Sequence, residues 1–271
     1  MITTCASAQY EPGLEVNSAY GKFVFHVHIE QGKHGLNTLK GELVNGTTKN
    51  WTRVEFTPTY YWENGNLVPA QYINPLIFNN LDRGKSVEFG MQAERIGANI
   101  GRFDIRFQSG TIRAEYMFVL LNKQGQPASD LSFSDNLASF SFSVSTQQLG
   151  FVLKNKTDEP IEIDWNRVAF VDVTGESHKV IHSGVKFNER SQPLVATTIP
   201  PSARIEDIVF PSDYVYFREG QYGGWSEYPL FPDGEKAAPY KGQIFTIFMP
   251  MKVNGVVKNY LFKFKITDVE F

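Results

Sequence analysis

A two-residue alternation of apolar and polar side chains recurs along the chain, and it constrains the fold more than any other feature. In each such stretch the apolar residues share one face of an extended strand and the polar residues the other, as in an antiparallel sheet packed on a core. No segment as long as an ordinary helix has helical periodicity. The sequence therefore predicts an all-β protein. The clearest stretches are 23–30, 53–62, 102–107 and 260–266.

A short internal repeat indicates two copies of one fold. Leu-Val-Asn-Gly-Thr at 43–47 aligns with Leu-Lys-Asn-Lys-Thr at 153–157, an offset of 110 residues. Leu-Asp-Arg-Gly at 81–84 then aligns with Ile-Pro-Pro-Ser at 199–202, an offset of 118, as one longer loop in the second copy would cause. The economical explanation is a tandem of two β-sandwiches.

The domain organisation follows from this repeat and from composition. A stretch rich in Gln, Gly, Pro, Ser and Asp at 122–136 has the composition of a linker or a long surface connection. A chain of 271 residues has room for two domains on either side of it. The predicted segments are an N-terminal tether at 1–19, a first domain at 20–125, a linker at 126–137, and a second domain at 138–271 with a long aromatic loop at 217–242.

The order of these motifs resembles the small bacterial Ig-like domains of the FxLYP type, which occur in secreted proteins and lipoproteins. The resemblance covers about 20–121 and, more loosely, 138–271. It implies two tandem Ig-like (immunoglobulin/fibronectin-type) antiparallel β-sandwiches, in which an Asn-x-Thr turn stabilises the chain as it leaves a strand. Members of this family are mostly uncharacterised envelope modules, and the family carries no catalytic residues to transfer.

The N-terminal residues bear on localisation. Ile-Thr-Thr-Cys at 2–5 resembles the end of a bacterial lipoprotein signal, in which the cysteine carries the lipid. With a signal peptide upstream, Cys5 is the expected lipid anchor, and the chain would lie in the periplasm or at the cell surface. A chain that starts at Met1 would instead be cytoplasmic. No apolar run is long enough for a transmembrane helix, so membrane attachment is expected only through such an anchor.

Charge and motif content argue against several classes of function. A net charge of −3 without a basic tract argues against a nucleic-acid partner. A single cysteine rules out an internal disulfide and multi-cysteine metal clusters. The Gly-x-Ser-x-Gly, Gly-x-x-x-x-Gly-Lys and His-Glu-x-x-His motifs do not occur. We therefore expect no cofactor and no enzymatic activity, with a paired-carboxylate hydrolase as the alternative.

The aromatic segment at 217–242 is the strongest pointer to function. Loops this long in compact domains are usually functional, and Tyr and Trp suit contact with a protein or a glycan. The alternative interpretation is that the segment folds back and buries its rings over a sheet edge. The residues predicted to contact a partner are Tyr222, Trp225, Tyr228, Phe231 and Tyr240.

Two histidine pairs have metal-ligand spacing. His26 and His28 project from one face of a predicted strand, an arrangement that suits Zn²⁺ or Cu²⁺. The alternative is that they are polar residues on a half-exposed strand. His178 and His182 give a weaker signal, because their spacing is helical and their surroundings are not.

These features together predict a non-catalytic binding or assembly module of the bacterial cell envelope. It would recognise a protein or glycan partner through exposed loops. A carbohydrate-active or other hydrolase that uses the aromatic loop as a subsite is the first alternative. A metal-binding envelope protein that uses His26 and His28 is the second.

Overall fold

In the computed structural model, strands make up 59% of the chain and helical turns 7%, which confirms the predicted all-β class. The structure describes residues 8–9, 13–31, 37–62, 64–68, 74–93, 100–220 and 223–271. Within these ranges, no helix has the length and apolar character needed to cross a membrane. The chain divides into two compact units, the first comprising Met1–Arg113 with Asp233–Glu235 and Phe271, the second Ala114–Pro232 with Lys236–Glu270.

The first unit is a pair of antiparallel sheets around one hydrophobic core. Strands β1, β2, β3, β4 and β7 form one sheet, and β6, β5 and β8 form the other. Its strands are β1 (Ala8–Gln9), β2 (Leu14–Ser18), β3 (Gly21–Gln31), β4 (Asn37–Thr47), β5 (Trp51–Trp62), β6 (Leu76–Leu81), β7 (Ser86–Ala93) and β8 (Ile100–Ile112).

The alternation in β3 has the predicted effect on burial. Phe23, Phe25 and Val27 are buried, whereas His26 is exposed and His28 is half-buried on the opposite face. The two phenylalanine rings pack edge-on against a ring of the other sheet. The core of this unit is therefore an aromatic cluster that joins the two sheets, built around Phe23, Phe25, Trp51, Phe56 and Phe78.

The second unit is dominated by an eleven-stranded antiparallel sheet, with a separate two-stranded sheet beside it. Among the described residues after Arg113, short 3-10 helices lie at Trp165–Arg167, Phe187–Glu189, Ser212–Tyr214 and Gly234–Tyr240, the last of which includes Gly234 and Glu235 of the first unit. The strands of the second unit are β9 (Glu115–Leu121), β10 (Ser132–Ser134), β11 (Ala138–Val144), β12 (Leu149–Asn155), β13 (Ile161–Ile163), β14 (Ala169–Val171), β15 (Ser177–Ile181), β16 (Thr197–Ile199), β17 (Arg204–Pro211), β18 (Val215–Arg218), β19 (Gly224–Glu227), β20 (Ile244–Val253) and β21 (Val256–Glu270).

Some of the strand pairings recur in the two units. In the first, β3 pairs with β4 and β4 with β7, while β5 pairs with β6 and β8. In the second, β11 pairs with β12 and β12 with β17, while β13 pairs with β16 and β20. The second unit differs because β15 pairs with both β14 and β17, which joins its strands into one nearly closed, barrel-like sheet instead of the two separate sheets of an ordinary sandwich.

The two repeated Asn-x-Thr motifs form equivalent hydrogen-bond networks. Asn45 is buried, and its Oδ1 accepts from the N and Oγ1 of Thr47 at 3.0 and 2.7 Å. Its Nδ2 donates to the carbonyl oxygens of Lys49 and Leu81 at 3.0 and 3.1 Å. The side chain thus fastens the end of β4 to the end of β6. This is a structural role for a motif that also has the spacing of a glycosylation acceptor.

Asn155 makes the corresponding contacts in the second unit. It is buried, and its Oδ1 accepts from the N and Oγ1 of Thr157, both at 2.8 Å. Its Nδ2 donates to the carbonyl oxygens of Glu159 and Ile199 at 2.7 and 3.1 Å. Leu81 and Ile199 are the residues that the offset of 118 aligns, so the side-chain network follows the sequence repeat.

The boundary between the compact units differs from the boundary expected from sequence. The unit boundary follows Arg113, and β9, which the sequence placed at the end of the first domain, pairs with β21. The segment expected as a linker at 126–137 contains β10, which pairs with β11. The polar composition of 122–136 serves tight turns: Oδ1 of Asn122 accepts from the backbone N of Gln124 and Gln126 at 3.0 and 2.9 Å.

Of the three Asn-Gly pairs in the sequence, those at 64–65 and 254–255 lie in turns, and the one at 45–46 lies within β4. Asn254 and Gly255 have φ of 46° and 77° and join β20 directly to β21, as a type I′ hairpin requires. Gly65 has φ of 83°, and its turn is closed by a bridge between Tyr61 and Leu67.

Candidate functional site

The aromatic segment contains a hairpin that stands apart from the main sheet. Strands β18 and β19 pair only with each other among the described strands, with Phe217 opposite Trp225. Gly223 is required in its turn, because a Cβ there would lie 2.3 Å from the carbonyl oxygen of Arg218. Val215 is buried at the base. Part of the predicted 217–242 loop is therefore regular β structure.

One face of this hairpin carries exposed rings and a cation. The side chains of Phe217 and Trp225 are 58% and 39% exposed, and their ring centroids lie 5.4 Å apart. The Arg190 guanidinium carbon lies 4.7 Å from the Trp225 ring centroid, within cation–π range. Nη1 of Arg190 also donates to the carbonyl oxygen of Phe187 at 3.1 Å, which fixes the guanidinium beside the indole.

The other face carries two tyrosines. The rings of Tyr216 and Tyr228 stack with centroids 4.3 Å apart, and Tyr228 is 55% exposed. The backbone N of Tyr228 donates to the carbonyl oxygen of Tyr214 at 2.9 Å. A lone two-stranded hairpin is marginally stable in water, so these contacts and the buried Val215 hold it in place.

The structure separates the residues predicted to contact a partner. Trp225 and Tyr228 are exposed on the hairpin, whereas Phe231 is buried among Tyr116, Phe118 and Phe245 at ring distances of 5.3, 5.3 and 5.1 Å. Phe231 therefore packs in the core rather than on a partner-facing surface. The folding-back interpretation of the segment holds for this residue.

Tyr240 is half-buried, with its ring 6.3 Å from that of Phe231. It belongs to the same packed cluster more than to the exposed hairpin. Tyr222 lies outside the described residues, as does Cys5, the predicted lipid anchor.

A polar cluster lies at the turn between β14 and β15. His178 is 6% exposed; its Nδ1 lies 2.8 Å from Oδ2 of Asp213, and its Nε2 lies 3.7 Å from Oδ2 of Asp172. Ligand atoms of Asp172, Glu176 and His178 all lie within 4.8 Å of one another. In the described ranges, no other three His, Cys, Asp or Glu residues come together in this way.

Hydrogen bonds orient the Asp172 carboxylate in this cluster. Its Oδ1 accepts from the N and Oγ1 of Thr174 at 2.8 and 2.7 Å and from the N of Glu176 at 2.9 Å. Burial alone would raise the pKa of Asp172, but these bonds and the nearby His178 outweigh it and lower that pKa. The carboxylate is therefore ionised, with Oδ2 directed toward His178.

The field around the cluster is negative. Burial, together with the charges of Asp172 and Asp213, raises the pKa of the Tyr214 hydroxyl to about 12. Asp213 and Tyr214 immediately precede β18, so the polar cluster lies at the base of the aromatic hairpin.

The histidine pairs singled out in the sequence do not share a ligand within the described structure. His182 contacts Asp207, with Nδ1 3.2 Å from Oδ2, and not the partners of His178. Four residues along a strand span about 13 Å, which explains the separation. His26 and His28 lie side by side on β3, but the described residues give them no third ligand; the side chain of Glu30 and the whole of His34 lie outside the described part.

A groove of about 510 Å³ lies along β21, with Phe133, Tyr260 and Phe262 in its walls. Two of its charged groups are paired with each other, because Lys258 Nζ donates to Asp135 Oδ2 at 2.7 Å. The groove therefore offers mainly an apolar surface, and its paired charges serve stability.

No family model matches this sequence, and no curated protein matches it. The interpretation of the hairpin and of the polar cluster therefore depends on their geometry.

Sequence reasoning singled out the aromatic segment, as a loop, and His178, but it missed the polar cluster to which His178 belongs. The signal was Asp172-x-x-x-Glu176-x-His178 around a Thr-Gly turn, since a tight turn between two strands brings its flanking residues face to face. Asp213 could not have been found in this way, because it lies 35 residues from His178 along the chain.

Proposed function

We propose that this chain is a non-catalytic binding or assembly module of the bacterial cell envelope, which recognises a protein or glycan partner through its aromatic hairpin. The observation that carries the proposal is the exposure of Phe217 and Trp225 on strands that pair with no other described strand, together with the exposure of Tyr228 directly after β19. Exposed aromatic clusters on soluble surfaces mark interaction sites.

A protein partner fits the composition of this surface better than a glycan does. Trp, Tyr and Arg are the residues most enriched at the energetic centres of protein interfaces, and the hairpin has Trp225 with Arg190 on one face and Tyr228 on the other. The guanidinium also covers part of one indole face that a sugar ring would need for stacking. A protein surface can instead use the ring edges and the Arg190 charge.

The proposal includes a tandem of two Ig-like sandwiches of the FxLYP type. It is supported by the strand pairings that recur in the two units and by the equivalent networks of Asn45 and Asn155. Placement in the envelope rests on the resemblance to that family and on the lipoprotein-like residues at 2–5.

The test is a photo-crosslinking experiment in the source cells. A benzophenone amino acid replaces Trp225 in the full chain, and the cells are irradiated and fractionated. We expect one defined adduct in the envelope fraction. Phe217→Ala and Tyr228→Ala in the labelled chain should lower its yield at least about tenfold, as truncation of an interface anchor does.

The matched control carries the same label at Val256, which is exposed at the Asn254-Gly255 turn. This label should give no such adduct. An identical adduct from both positions would refute the hairpin as the contact surface. An adduct in the cytoplasmic fraction would refute placement in the envelope, and a polysaccharide adduct would identify the partner as a glycan.

A further inference from the structure

A buried ring nitrogen in the second unit lacks a hydrogen-bond partner among the described residues. Nε2 of His178 is fully buried and makes no hydrogen bond within the described part of the chain, although buried polar groups nearly always find a partner. The atom is directed toward Oδ2 of Asp172, at 3.7 Å. That separation is too long for a hydrogen bond, whose usual range for nitrogen and oxygen is about 2.7–3.2 Å.

Asp213 orients the His178 ring. Its Oδ2 lies 2.8 Å from Nδ1 of His178, and because a carboxylate only accepts, Nδ1 donates. In the neutral ring Nε2 then presents a lone pair to the Asp172 carboxylate, which is repulsive; in the charged ring the Nε2 proton has no acceptor within hydrogen-bond distance among the described residues. A cation between Nε2 and Oδ2 of Asp172 removes either defect. Carboxylate–histidine pairs of this kind orient imidazole ligands at metal centres.

The distances fit a shared ion. Ligand atoms each about 2.1 Å from a Zn²⁺ ion stand about 3–4 Å apart in tetrahedral geometry. Nε2 of His178 and Oδ2 of Asp172 meet this requirement at 3.7 Å, and the Glu176 carboxylate completes a set within 4.8 Å. Asp172 and Glu176 flank the turn and His178 lies two residues further on, so one hairpin supplies all three donors.

We propose that Asp172, Glu176 and His178 bind a divalent transition-metal ion, with Asp213 positioning the imidazole. One imidazole nitrogen and two carboxylate oxygens suit Zn²⁺ or Mn²⁺, whereas Mg²⁺ and Ca²⁺ prefer oxygen donors alone. Three protein ligands leave a coordination position for water or for a donor from another molecule. The proposal is independent of partner binding by the hairpin.

The test is calorimetric titration of the chelator-treated full chain with Zn²⁺. We expect one equivalent to bind and to raise the melting temperature, because an ion that binds only the folded state stabilises it. His178→Ala and Asp172→Asn should each weaken binding at least about a hundredfold. Asp213→Asn should weaken it about 10–100-fold, the usual effect of losing the group that orients a histidine ligand.

Substitutions at Glu176 and Asp213 should leave the fold intact, because Glu176 is exposed and the Asp213 side chain is 59% exposed. A change in metal affinity in these variants therefore reports on the site and not on unfolding. Asp158→Asn, at an exposed carboxylate in another turn, is the matched control and should bind as the parent does. Equal affinity in parent, Glu176→Gln and His178→Ala would overturn the proposal. So would loss of binding in a His26→Ala, His28→Ala chain alone, or equal competition by Ca²⁺.

Discussion

At one aligned turn position, the two units adopt the same backbone conformation with different residues. Gly84 and Ser202 are aligned by the repeat and have φ of 71° and 59°. Each is the third residue of a four-residue turn. A backbone hydrogen bond closes each turn, from the N of Lys85 to the carbonyl oxygen of Asp82 and from the N of Ala203 to the carbonyl oxygen of Pro200. Glycine accepts positive φ without strain, whereas serine does not.

We expect Ser202→Gly to raise the free energy of unfolding by about 0.5–1 kcal/mol, and Gly84→Ser to lower it by about 1 kcal/mol. Apart from Gly84 and its two chain neighbours, no described residue has a heavy atom within 4 Å of the Cβ position at Gly84, so backbone strain sets that cost. Urea unfolding of the full chain measures both changes.

The control is Ser141→Gly on the exposed face of β11, where φ is negative and glycine should destabilise by about 0.5–1 kcal/mol. If Ser202→Gly destabilised as much as Ser141→Gly does, the strain argument would be wrong.

The sequence predicts which residues of a strand are buried better than it predicts the polar cluster. Alternation placed Phe23 and Phe25 in the core and His26 outside it, because a strand has only two faces. His178 needed Asp213, and no local pattern links residues that meet only after β15 and the turn before β18 have folded. A local sequence pattern indicates which face of a strand a residue occupies, but not which residues of other elements it contacts.

The Asn-x-Thr motif connects the ends of three strands by hydrogen bonds. Asn155 is the last residue of β12, and its Oδ1 accepts two hydrogen bonds from Thr157. Its Nδ2 donates to the carbonyl oxygen of Ile199 at the end of β16. Its own backbone N donates to the carbonyl oxygen of Ala203, just before β17. Because Asn155 is buried, truncating it leaves several polar backbone groups without a partner.

We expect Asn45→Ala and Asn155→Ala each to lower the free energy of unfolding by about 2–4 kcal/mol. Hydrogen–deuterium exchange followed by mass spectrometry should locate the loss of protection in β4 and β6 for the first variant and in β12 and β16 for the second. Asn122→Ala is the matched control, because that residue is exposed and its side chain accepts hydrogen bonds only from backbone N–H groups of its own turn. A loss in Asn155→Ala no larger than the loss in Asn122→Ala would contradict this role.

The elements also show where composition misleads. The stretch at 122–136 has the residues of a flexible connection, yet its Asn and Asp side chains accept from nearby backbone N–H groups and fix successive turns. Turn residues and linker residues share one composition. The strand pairing of β9 with β21, which moves the unit boundary to Arg113, is a long-range contact that composition does not report.

In the second unit, a turn near its start is hydrogen-bonded to its C-terminal strand. Oδ1 of Asp135 accepts from the backbone N of Leu137 and Ala138 at 2.8 and 3.0 Å. Its Oδ2 accepts from Lys258 Nζ and the Tyr260 hydroxyl on β21 at 2.7 and 3.0 Å. One carboxylate thus ties the turn before β11 to the C-terminal strand.

This contact makes the stability of the second unit depend on pH. Burial alone would raise the pKa of Asp135, but Lys258, the backbone N–H groups and Tyr260 together lower it to about 2. A carboxyl whose pKa is lower in the folded state stabilises the fold fully above its unfolded pKa. That stabilisation is lost as the pH falls from about 4 to about 2, when protonation removes the charge.

We expect Asp135→Asn to lower the free energy of unfolding by about 1 kcal/mol near neutral pH, a value reduced by solvent screening because 19% of the Asp135 side chain is exposed. The difference between parent and variant should shrink as the pH approaches about 2, since the parent then loses the same charge. Urea unfolding across this range measures both.

Asp207, whose pKa is also lowered, contributes an acid dependence common to the two chains. Asp158→Asn, at an exposed carboxylate, should keep the slope of the parent. A parent and an Asp135→Asn chain that lose stability in parallel would show that the tie between the turn and β21 does not depend on the charge of Asp135.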